Sequence, residues 1–323
     1  MKHWTSHQAD CIEWLSEQPE NHFHAVCTDP PYGIVEFSAH EVAKLRSGTG
    51  GVWRLPPKFD GKERNPLPRF TVLSEREREA VQDYFAAWGK ALLPRLVPGA
   101  HVLVAGNPSL QSYVQQGMAE SGYEIRGAIM RLYHGFRGGD RPKNAETEFP
   151  EVCVTPRGNY EPWMLFRKPI SEKTVAENLR VWKAGGLRML EGGKPFPDIV
   201  QSGKTPKREK LIADHPSLKP QQLLRIFVRM LLPLGEGRIL DPFMGSGSTL
   251  AACQAIGVEG IGVELDPTYF ALAQKVIPQL SALYPEITGA SLDEESLPLL
   301  GLKPSKSGQL ALLETAGDYK ITK

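Results

Sequence analysis

Short apolar runs alternate along this chain with longer segments of helical periodicity. Four runs of strand length each end in a turn signal, at residues 24–28, 101–105, 238–241 and 260–264. Apolar residues recur every three or four positions in the segments that predict helices, at 74–93, 109–121, 220–232, 249–256 and 267–280. Strands that alternate with helices predict an α/β fold with a doubly wound, mostly parallel sheet.

The pattern is less regular in the middle of the chain and at its end. Further strand-like stretches, which bring the expected sheet to seven strands, lie at 125–133, 151–155 and 162–167. Residues 34–70 and 170–213 show little periodicity, and we interpret them as insertions. The sequence therefore predicts one domain over residues 1–285, followed by a loosely packed tail over 286–323.

Composition allows one large core. The chain has 323 residues, of which 41% are hydrophobic, which suffices for an α/β domain with insertions. No apolar stretch approaches the ~20 residues of a membrane span, and residues 1–8 lack a signal-peptide pattern, so we expect a cytoplasmic protein. None of the four cysteines belongs to a C-x-x-C pair. We therefore expect no metal site and no disulfide, with Cys27 and Cys253 in the core.

The net charge of +1 conceals an uneven distribution. Residues 44–70 hold seven Lys and Arg against two acids, and residues 126–210 hold 17 against 10. The rest of the chain is therefore acidic. Basic insertions on an acidic scaffold are typical of proteins that bind a polyanion, because phosphate contacts need Lys and Arg. Ordinary solvated loops explain the charge alone equally well.

A glycine-bearing turn follows the strand at 238–241, with the sequence Asp241-Pro242-Phe243-Met244-Gly245-Ser246-Gly247-Ser248-Thr249. Its glycines let backbone N–H groups approach a ligand at the start of a helix. Glu264 ends the next strand, where an acid can accept hydrogen bonds from ribose hydroxyls. Leu250 and Ala251 exclude a dinucleotide fingerprint and a P-loop. The loop suits S-adenosylmethionine, which has a ribose and an adenine but no phosphate; a plain strand-to-helix turn is the alternative.

A second motif, Asp29-Pro30-Pro31-Tyr32-Gly33, follows the strand at 24–28. It suits the activation of an exocyclic amine, whose lone pair is delocalised into its ring unless acceptors bind its two protons. The Asp29 carboxylate and the Pro30 carbonyl can accept those protons, because consecutive prolines restrict the backbone. Tyr32 offers a flat face to a base that has left the duplex. A rigid turn after a strand is the alternative.

Together, and in this order, the two motifs resemble those of the amino-methylating DNA methyltransferases, in the beta group whose catalytic motif precedes the cofactor loop. The segment His215-Pro216-Ser217-Leu218-Lys219-Pro220 resembles the family's His-Pro-x-x-Lys-Pro element, and residues 160–165 resemble its strand behind the target base. The resemblance covers about residues 8–280 and implies a Rossmann-like fold that uses S-adenosylmethionine. It implies a cofactor site made of Asp10, Cys11, Asp29, His215, Lys219, Pro220, Asp241, Pro242, Phe243, Gly245, Ser246, Gly247, Thr249, Glu264, Leu265 and Asp266. On physical grounds Asp10 is as plausible as the N-cap of a helix.

The resemblance also implies catalytic roles for Asp29, Pro30, Pro31 and Tyr32. Asp at the first motif position goes mostly with adenine N6 in this family, so we expect direct methyl transfer to adenine on a flipped base. Cytosine N4 methylation of DNA stays open, as does a catalytically silent DNA-binding relative. RNA or protein amines are a third alternative.

Double-stranded DNA is the expected partner, through the insertions 34–70 and 170–213. The residues that we expect to contact it are Trp53, Arg54, Arg131, Arg137, Arg141 and Lys143. The alternative for these positions is a mobile, solvated loop. A homodimer and a cognate restriction enzyme are further hypotheses, and no membrane association is expected.

Overall fold

The computed structural model describes residues 2–31, 75–132, 142, 145, 147–154, 156, 158–213 and 218–290. Its strands are β1 (Trp4–Gln8), β2 (Phe23–Thr28), β3 (Leu96–Ala105), β4 (Glu124–Leu132), β5 (Tyr160–Arg167), β6 (Ile199–Gln201), β7 (Arg238–Asp241) and β8 (Glu259–Glu264). Its α-helices are α1 (Cys11–Ser16), α2 (Glu75–Leu92), α3 (Gln111–Glu120), α4 (Val175–Trp182), α5 (Lys207–Ile212), α6 (Gln221–Leu231), α7 (Ser248–Ile256) and α8 (Pro267–Ser281). Short 3-10 turns lie at Leu93–Arg95 and Glu191–Gly193.

One sheet joins the eight strands of the described residues in the order β1-β8-β7-β2-β3-β5-β4-β6. Neighbouring strands are parallel except where β5 is involved, because β5 runs antiparallel to both β3 and β4. The predicted Rossmann-like α/β fold is therefore confirmed.

The described sheet has one strand more than predicted. The predicted runs include neither β1 nor β6, and β6 extends the sheet beyond β4. This strand has three residues, which is too short to produce a recognisable alternation of apolar and polar positions. Residues 151–154, predicted as part of a strand, form none. The segment 170–213, in which we predicted little regular structure, contains α4, β6 and α5.

The order in which the chain connects the strands reverses between β7 and β2, which are paired, parallel neighbours. From β7 the chain continues through α7 to β8 on one side, whereas from β2 it reaches β3 on the other side. The connections from these two strands consequently lead to opposite sides, and a crevice lies between the strand ends at the carboxyl edge of the sheet. Ligands bind at such a switch point in open α/β sheets.

Helices cover both faces of the sheet and position this edge. Alternate residues of β3 face opposite ways: Val102 and Val104 belong to the cluster of α1, α2 and α3, whereas Leu103 and Ala105 belong to the cluster of α6 and α7. A third cluster packs α7 against α8. Burial of both faces fixes the strand ends relative to one another, because a slip of one residue would move each core side chain to the opposite face and disrupt its packing.

No helix among the described residues is long and apolar enough to cross a membrane. Cys27 and Cys253 are fully buried, as predicted, and the structure has them as free thiols. Burial is the main cause that raises the pKa of both thiols, so they remain protonated.

A buried arginine on α6 organises the end of the described chain. The Arg225 guanidinium donates hydrogen bonds to the carbonyl oxygens of Ser281, Leu283, Tyr284 and Ile287, at 2.6 to 3.1 Å. Ala290 is also buried, and its carbonyl accepts a bond from the Glu191 N–H at 2.9 Å. Residues 286–290 are thus held to the core, while residues 291–323 of the predicted tail lie outside the described residues. The domain boundary at 285 stays a prediction.

Replacing Arg225 tests this arrangement. We expect Arg225→Met to lower the free energy of unfolding by roughly 3 kcal/mol, because the buried carbonyls lose their donor. Urea unfolding followed by circular dichroism measures the change. Arg229→Met is the control on the same helix, because Arg229 donates one exposed bond, to the Met189 carbonyl. Equal losses in the two variants would contradict the assignment.

Candidate active site

The glycine loop is shaped by Gly247, the residue before α7. Gly247 has φ 82° and occupies the N-cap of the helix. A Cβ atom there would lie 2.5 Å from the side chain of Ile277 on α8. Both the left-handed conformation and the packing therefore demand glycine. Gly245, earlier in the loop, also has a positive φ, of 50°.

Glu264 holds the loop to the neighbouring strand end. Its Oε2 accepts a hydrogen bond from the Gly245 N–H at 2.8 Å, and its Oε1 accepts one from the Asp266 N–H at 2.8 Å. Burial is the largest cause that raises the pKa of Glu264, and these backbone bonds oppose it. Each oxygen keeps a second lone pair, so the carboxylate can also accept from a ligand.

Asp266 and Asp10 are both helix N-caps. Asp266 Oδ1 accepts from the N–H groups of Thr268 and Tyr269, at 2.7 and 3.2 Å. Asp10 Oδ1 accepts from those of Ile12 and Glu13, at 2.8 and 3.1 Å. The capping alternative for Asp10 is thus realised, and its adenine contact stays a prediction.

Asp10 nevertheless lies beside the glycine loop, because β1 pairs with β8 and the Ala9 N–H donates to the Glu264 carbonyl at 3.1 Å. Cys11 is buried, and burial followed by the charge of Asp10 raises the pKa of its thiol to about 12. Leu265 is 67% exposed between Glu264 and Asp266. This edge therefore combines three acids, Asp10, Glu264 and Asp266, with an apolar side chain, which suits a nucleoside.

A buried hydrogen bond joins the two motif loops. The Thr28 hydroxyl at the end of β2 donates to Asp241 Oδ1 at the end of β7, at 2.7 Å. The Phe243 N–H donates to the same oxygen at 3.3 Å. Burial raises the pKa of Asp241 to about 6, while the hydroxyls of Thr28 and Thr249 oppose the shift. The ring of Phe243 packs 5.7 Å from that of Trp88, which anchors the loop to α2.

Asp29 and Lys219 form an ion pair at this crevice, in which the Lys219 ammonium donates to Asp29 Oδ2. Pro30 is buried and Pro31 is exposed. Lys219 is buried beside Pro220, directly before α6. Burial alone would lower the pKa of Lys219, but the carboxylates of Asp29 and Glu161 raise it overall, so the lysine remains protonated. The two sequence motifs and the Lys219 element therefore meet in space.

The sequence placed Glu161 and Trp163 in the strand behind the target base, but it did not predict their contacts with Lys219 and Arg131. Glu161 Oε1 lies 3.5 Å from the Lys219 ammonium. Glu161 Oε2 accepts bonds from Arg131 Nη1 and from Trp163 Nε1, both at 2.9 Å. Glu161 and Trp163 are two positions apart on β5 and hence share a face of the sheet, and this spacing is the one signal that could have linked them.

The structure argues against the phosphate contact predicted for Arg131. This residue is 4% exposed, and it pairs with Glu161 while Nη2 donates to the Gly203 carbonyl at 3.1 Å. Strand position explains the difference, because Arg131 lies directly opposite Glu161 in the pairing of β4 with β5. Some predicted site residues lie outside the described residues, and nothing tests them: Tyr32, Trp53, Arg54, Arg137, Arg141, Lys143 and His215.

Known DNA methyltransferases resemble this chain in sequence and in fold. The type II methyltransferase M.HindIII of Haemophilus influenzae is 22% identical over 282 residues, which cover 80% of this chain and 90% of that enzyme. Matches to some other relatives are local and cover 33% of their length. A putative DNA modification methylase of Thermus thermophilus, solved with S-adenosyl-L-methionine, superposes with TM-score 0.53 at 19% identity, over 86% of this chain and 95% of its own. The cytosine-N4-specific PvuII DNA methyltransferase gives TM-score 0.54 at 15% identity, over 90% and 94%.

The fold brings the glycine loop after β7 next to the Asp29 carboxylate after β2, and both line one pocket. Residues 23–275 match the family of DNA methylases of the N6/N4 type (N6_N4_Mtase), and the chain belongs to this family. The predicted family of amino-methylating DNA methyltransferases is thus confirmed.

The role of Gly247 in the glycine loop can be tested by comparing it with Gly257, the glycine at the other end of α7. We expect Gly247→Ala to weaken S-adenosylmethionine binding and to lower stability by more than the ~1–2 kcal/mol of a left-handed alanine, because the methyl group also meets Ile277. Gly257→Ala is the control, since Gly257 has φ 77° at the other end of α7 and no atom within 4 Å of its Cβ position. Calorimetric titration and thermal melts measure both effects. Identical behaviour of the two variants would contradict this view of the loop.

Proposed function

We propose that this protein is a site-specific DNA methyltransferase that transfers a methyl group to the exocyclic N6 of adenine in duplex DNA. The observation that carries the proposal is the meeting of Asp29 with the glycine loop at the switch point of the sheet. In this arrangement, an amine held by Asp29 lies next to the place where the cofactor loop would hold a methyl donor. Family membership supports the reaction class.

The chemistry proposed for the site is direct displacement. When bound, S-adenosylmethionine would supply a methyl group on its sulfonium; the sulfur would leave as a neutral thioether, and the methylated amine nitrogen would release one proton to solvent. The Asp29 carboxylate accepts one amine N–H and the Pro30 carbonyl the other, which localises the nitrogen lone pair toward the methyl group. Tyr32 stacks on a base rotated out of the duplex. No covalent enzyme intermediate is needed, and the buried cysteines are protonated and unsuited to attack.

We propose that the cofactor is held by the glycine loop and by the acidic edge beside it. Gly245 and Gly247 would let the loop backbone approach a ligand closely, although the Gly245 N–H donates to Glu264 and the Gly247 N–H donates to the Met244 carbonyl. Glu264 and Asp10 would accept from the hydroxyl and amino groups of the ligand. His215 and Lys219 stay in the proposed set through the family resemblance.

Cytosine N4 is the second candidate target. A cytosine-N4-specific enzyme shares this fold, so the fold does not separate the two amines. Asp29 at the first motif position favours adenine within the family. A silent DNA-binding relative is less well supported, because Asp29, Gly245, Gly247 and Glu264 form a connected site.

DNA would approach this edge of the sheet over a basic segment, residues 204–210. Lys204, Lys207, Arg208 and Lys210 are all exposed there. Glu209, the one acid of the segment, faces inward, where its Oε2 accepts from the Gln221 N–H at 3.1 Å. Burial raises the pKa of Glu209 to about 7, which reduces its negative charge further. The segment follows the carboxyl end of β6 and leads to Lys219, so its cations lie on the side of the catalytic loops.

A homodimer, a cognate restriction enzyme and a cytoplasmic location remain predictions from the sequence.

The reaction is tested by expressing the protein in a host without DNA methylation and analysing digested host DNA by mass spectrometry. We expect N6-methyladenine, and a rate at least ~100-fold lower for Asp29→Asn, because the amide is a weaker acceptor. Asp83→Asn, an exposed change on α2, is the matched control. N4-methylcytosine would replace the adenine assignment. DNA binding without any methylation by the wild type would favour the silent relative.

The basic segment is tested by the variant Lys204→Gln, Lys207→Gln, Arg208→Gln, Lys210→Gln. We expect weaker binding to duplexes of every sequence, with the slope of log affinity against log salt smaller by ~0.9 for each phosphate that the variant no longer neutralises. Fluorescence anisotropy over a salt series measures this. A control with the same change of charge at exposed sites elsewhere is Arg76→Gln, Lys90→Gln, Arg180→Gln, Lys275→Gln. Equal slopes in the two variants would show that the segment has no special role.

A further inference from the structure

Four charged side chains form a connected series of ion pairs behind the catalytic loop. Asp29 binds Lys219, Lys219 approaches Glu161, and Glu161 binds Arg131. The charges alternate in sign and sum to zero. The side chains of Lys219, Glu161 and Arg131 are at most 10% exposed and that of Asp29 is 14% exposed, so solvent screens these interactions weakly.

Glu161 is the most firmly fixed member of this series. Arg131 holds it from the directly opposite position on β4, and Trp163 holds it from its own strand, both through Oε2. The indole of Trp163 is fully buried and packs 4.9 Å from the ring of Phe227 on α6. Oε1 is thereby left pointing toward Lys219, at 3.5 Å.

Lys219 needs such a support because its ammonium lies on a flexible side chain. An ammonium has no fixed geometry of its own, and its position is set by the acceptors around it. With Asp29 as its main acceptor, Lys219 would move together with the carboxylate that must meet the amine. Glu161 is a second carboxylate with a fixed position. It fixes the Lys219 ammonium, and the ammonium in turn fixes the position of Asp29 Oδ2.

We infer that Glu161 is a positioning residue for methyl transfer: braced by Arg131 and Trp163, it fixes the Lys219 ammonium and thereby orients the Asp29 carboxylate toward the amine. The inference rests on the proposed function, because it assigns Asp29 the role of amine acceptor. Glu161 acts through Lys219 and contacts neither the amine nor the methyl group.

Glu161→Gln tests this role, because glutamine keeps the shape and an acceptor oxygen but loses the charge. We expect kcat on unmethylated duplex DNA to fall by about 10- to 100-fold, the loss expected from misplaced reacting groups. The Kd for S-adenosylmethionine and the KM for DNA should change by less than about threefold. Glu161→Asp should recover part of the rate, because it restores the charge at a longer distance.

A second variant separates positioning from stability. Glu161→Gln leaves Arg131 and Lys219 with one carboxylate, so lower stability could by itself reduce the rate. Glu161→Gln with Arg131→Met restores the charge balance and should recover the melting temperature, but the fixed point for Lys219 is still absent and kcat should stay low. Recovery of both would overturn the inference in favour of a structural role.

Two further outcomes are decisive. An unchanged kcat in Glu161→Gln, or a fall in kcat matched by an equal rise in the Kd for S-adenosylmethionine, overturns the inference and leaves the proposed function intact. A wild type that methylates no DNA, measured with tritiated S-adenosylmethionine on DNA from a methylation-free host, overturns both together.

Discussion

The parallel pairing of β2 with β7 is the constraint on which the site depends. The register places Ala25 opposite Ile239 and Val26 opposite Leu240. The two strands therefore end side by side, and the Thr28 hydroxyl reaches the Asp241 carboxylate. A shift of one residue would turn every side chain of the strand to the opposite face and break this bond. The loops proposed to bind the amine and the cofactor are neighbours because their strands are neighbours, although more than 200 residues separate them in the chain.

The charged groups behind these loops contribute geometry more than stability. Burying Asp29, Lys219, Glu161 and Arg131 removes four charges from water, and their mutual attraction only offsets that loss. Apolar side chains of similar volume would fill the space at least as favourably. What the charges add is direction, since each hydrogen bond holds one oxygen at one angle. Burial and the two carboxylates act in opposite directions on the pKa of Lys219, and the carboxylates raise it overall.

The sequence predicts this fold and the loops well where the cause is local. Apolar runs gave the long strands, and the glycines and prolines of the two motifs identified the turns. Arg131 shows the limit, because its cross-strand partner Glu161 is set by register, which no local pattern contains. β6 was not predicted because three residues are too few to show the alternation of apolar and polar positions that identifies a strand. Asp10 was ambiguous since one carboxylate can cap a helix and face a ligand; the structure shows the cap but not the ligand contact.

The same buried contacts hold the proposed DNA-contacting segment and the residues around Asp29. Arg131 binds both Glu161 and the Gly203 carbonyl, so the start of the basic segment is fixed to the strand that supports Lys219. The Thr205 hydroxyl donates to the carbonyl of Leu218, the residue before Lys219. Glu209 likewise accepts from the first residue of α6. Cations placed on this segment therefore have a defined distance from Asp29. DNA bound to this segment would consequently hold its bases at a defined distance from the Asp29 carboxylate, because the same buried contacts fix the segment and the residues around Asp29.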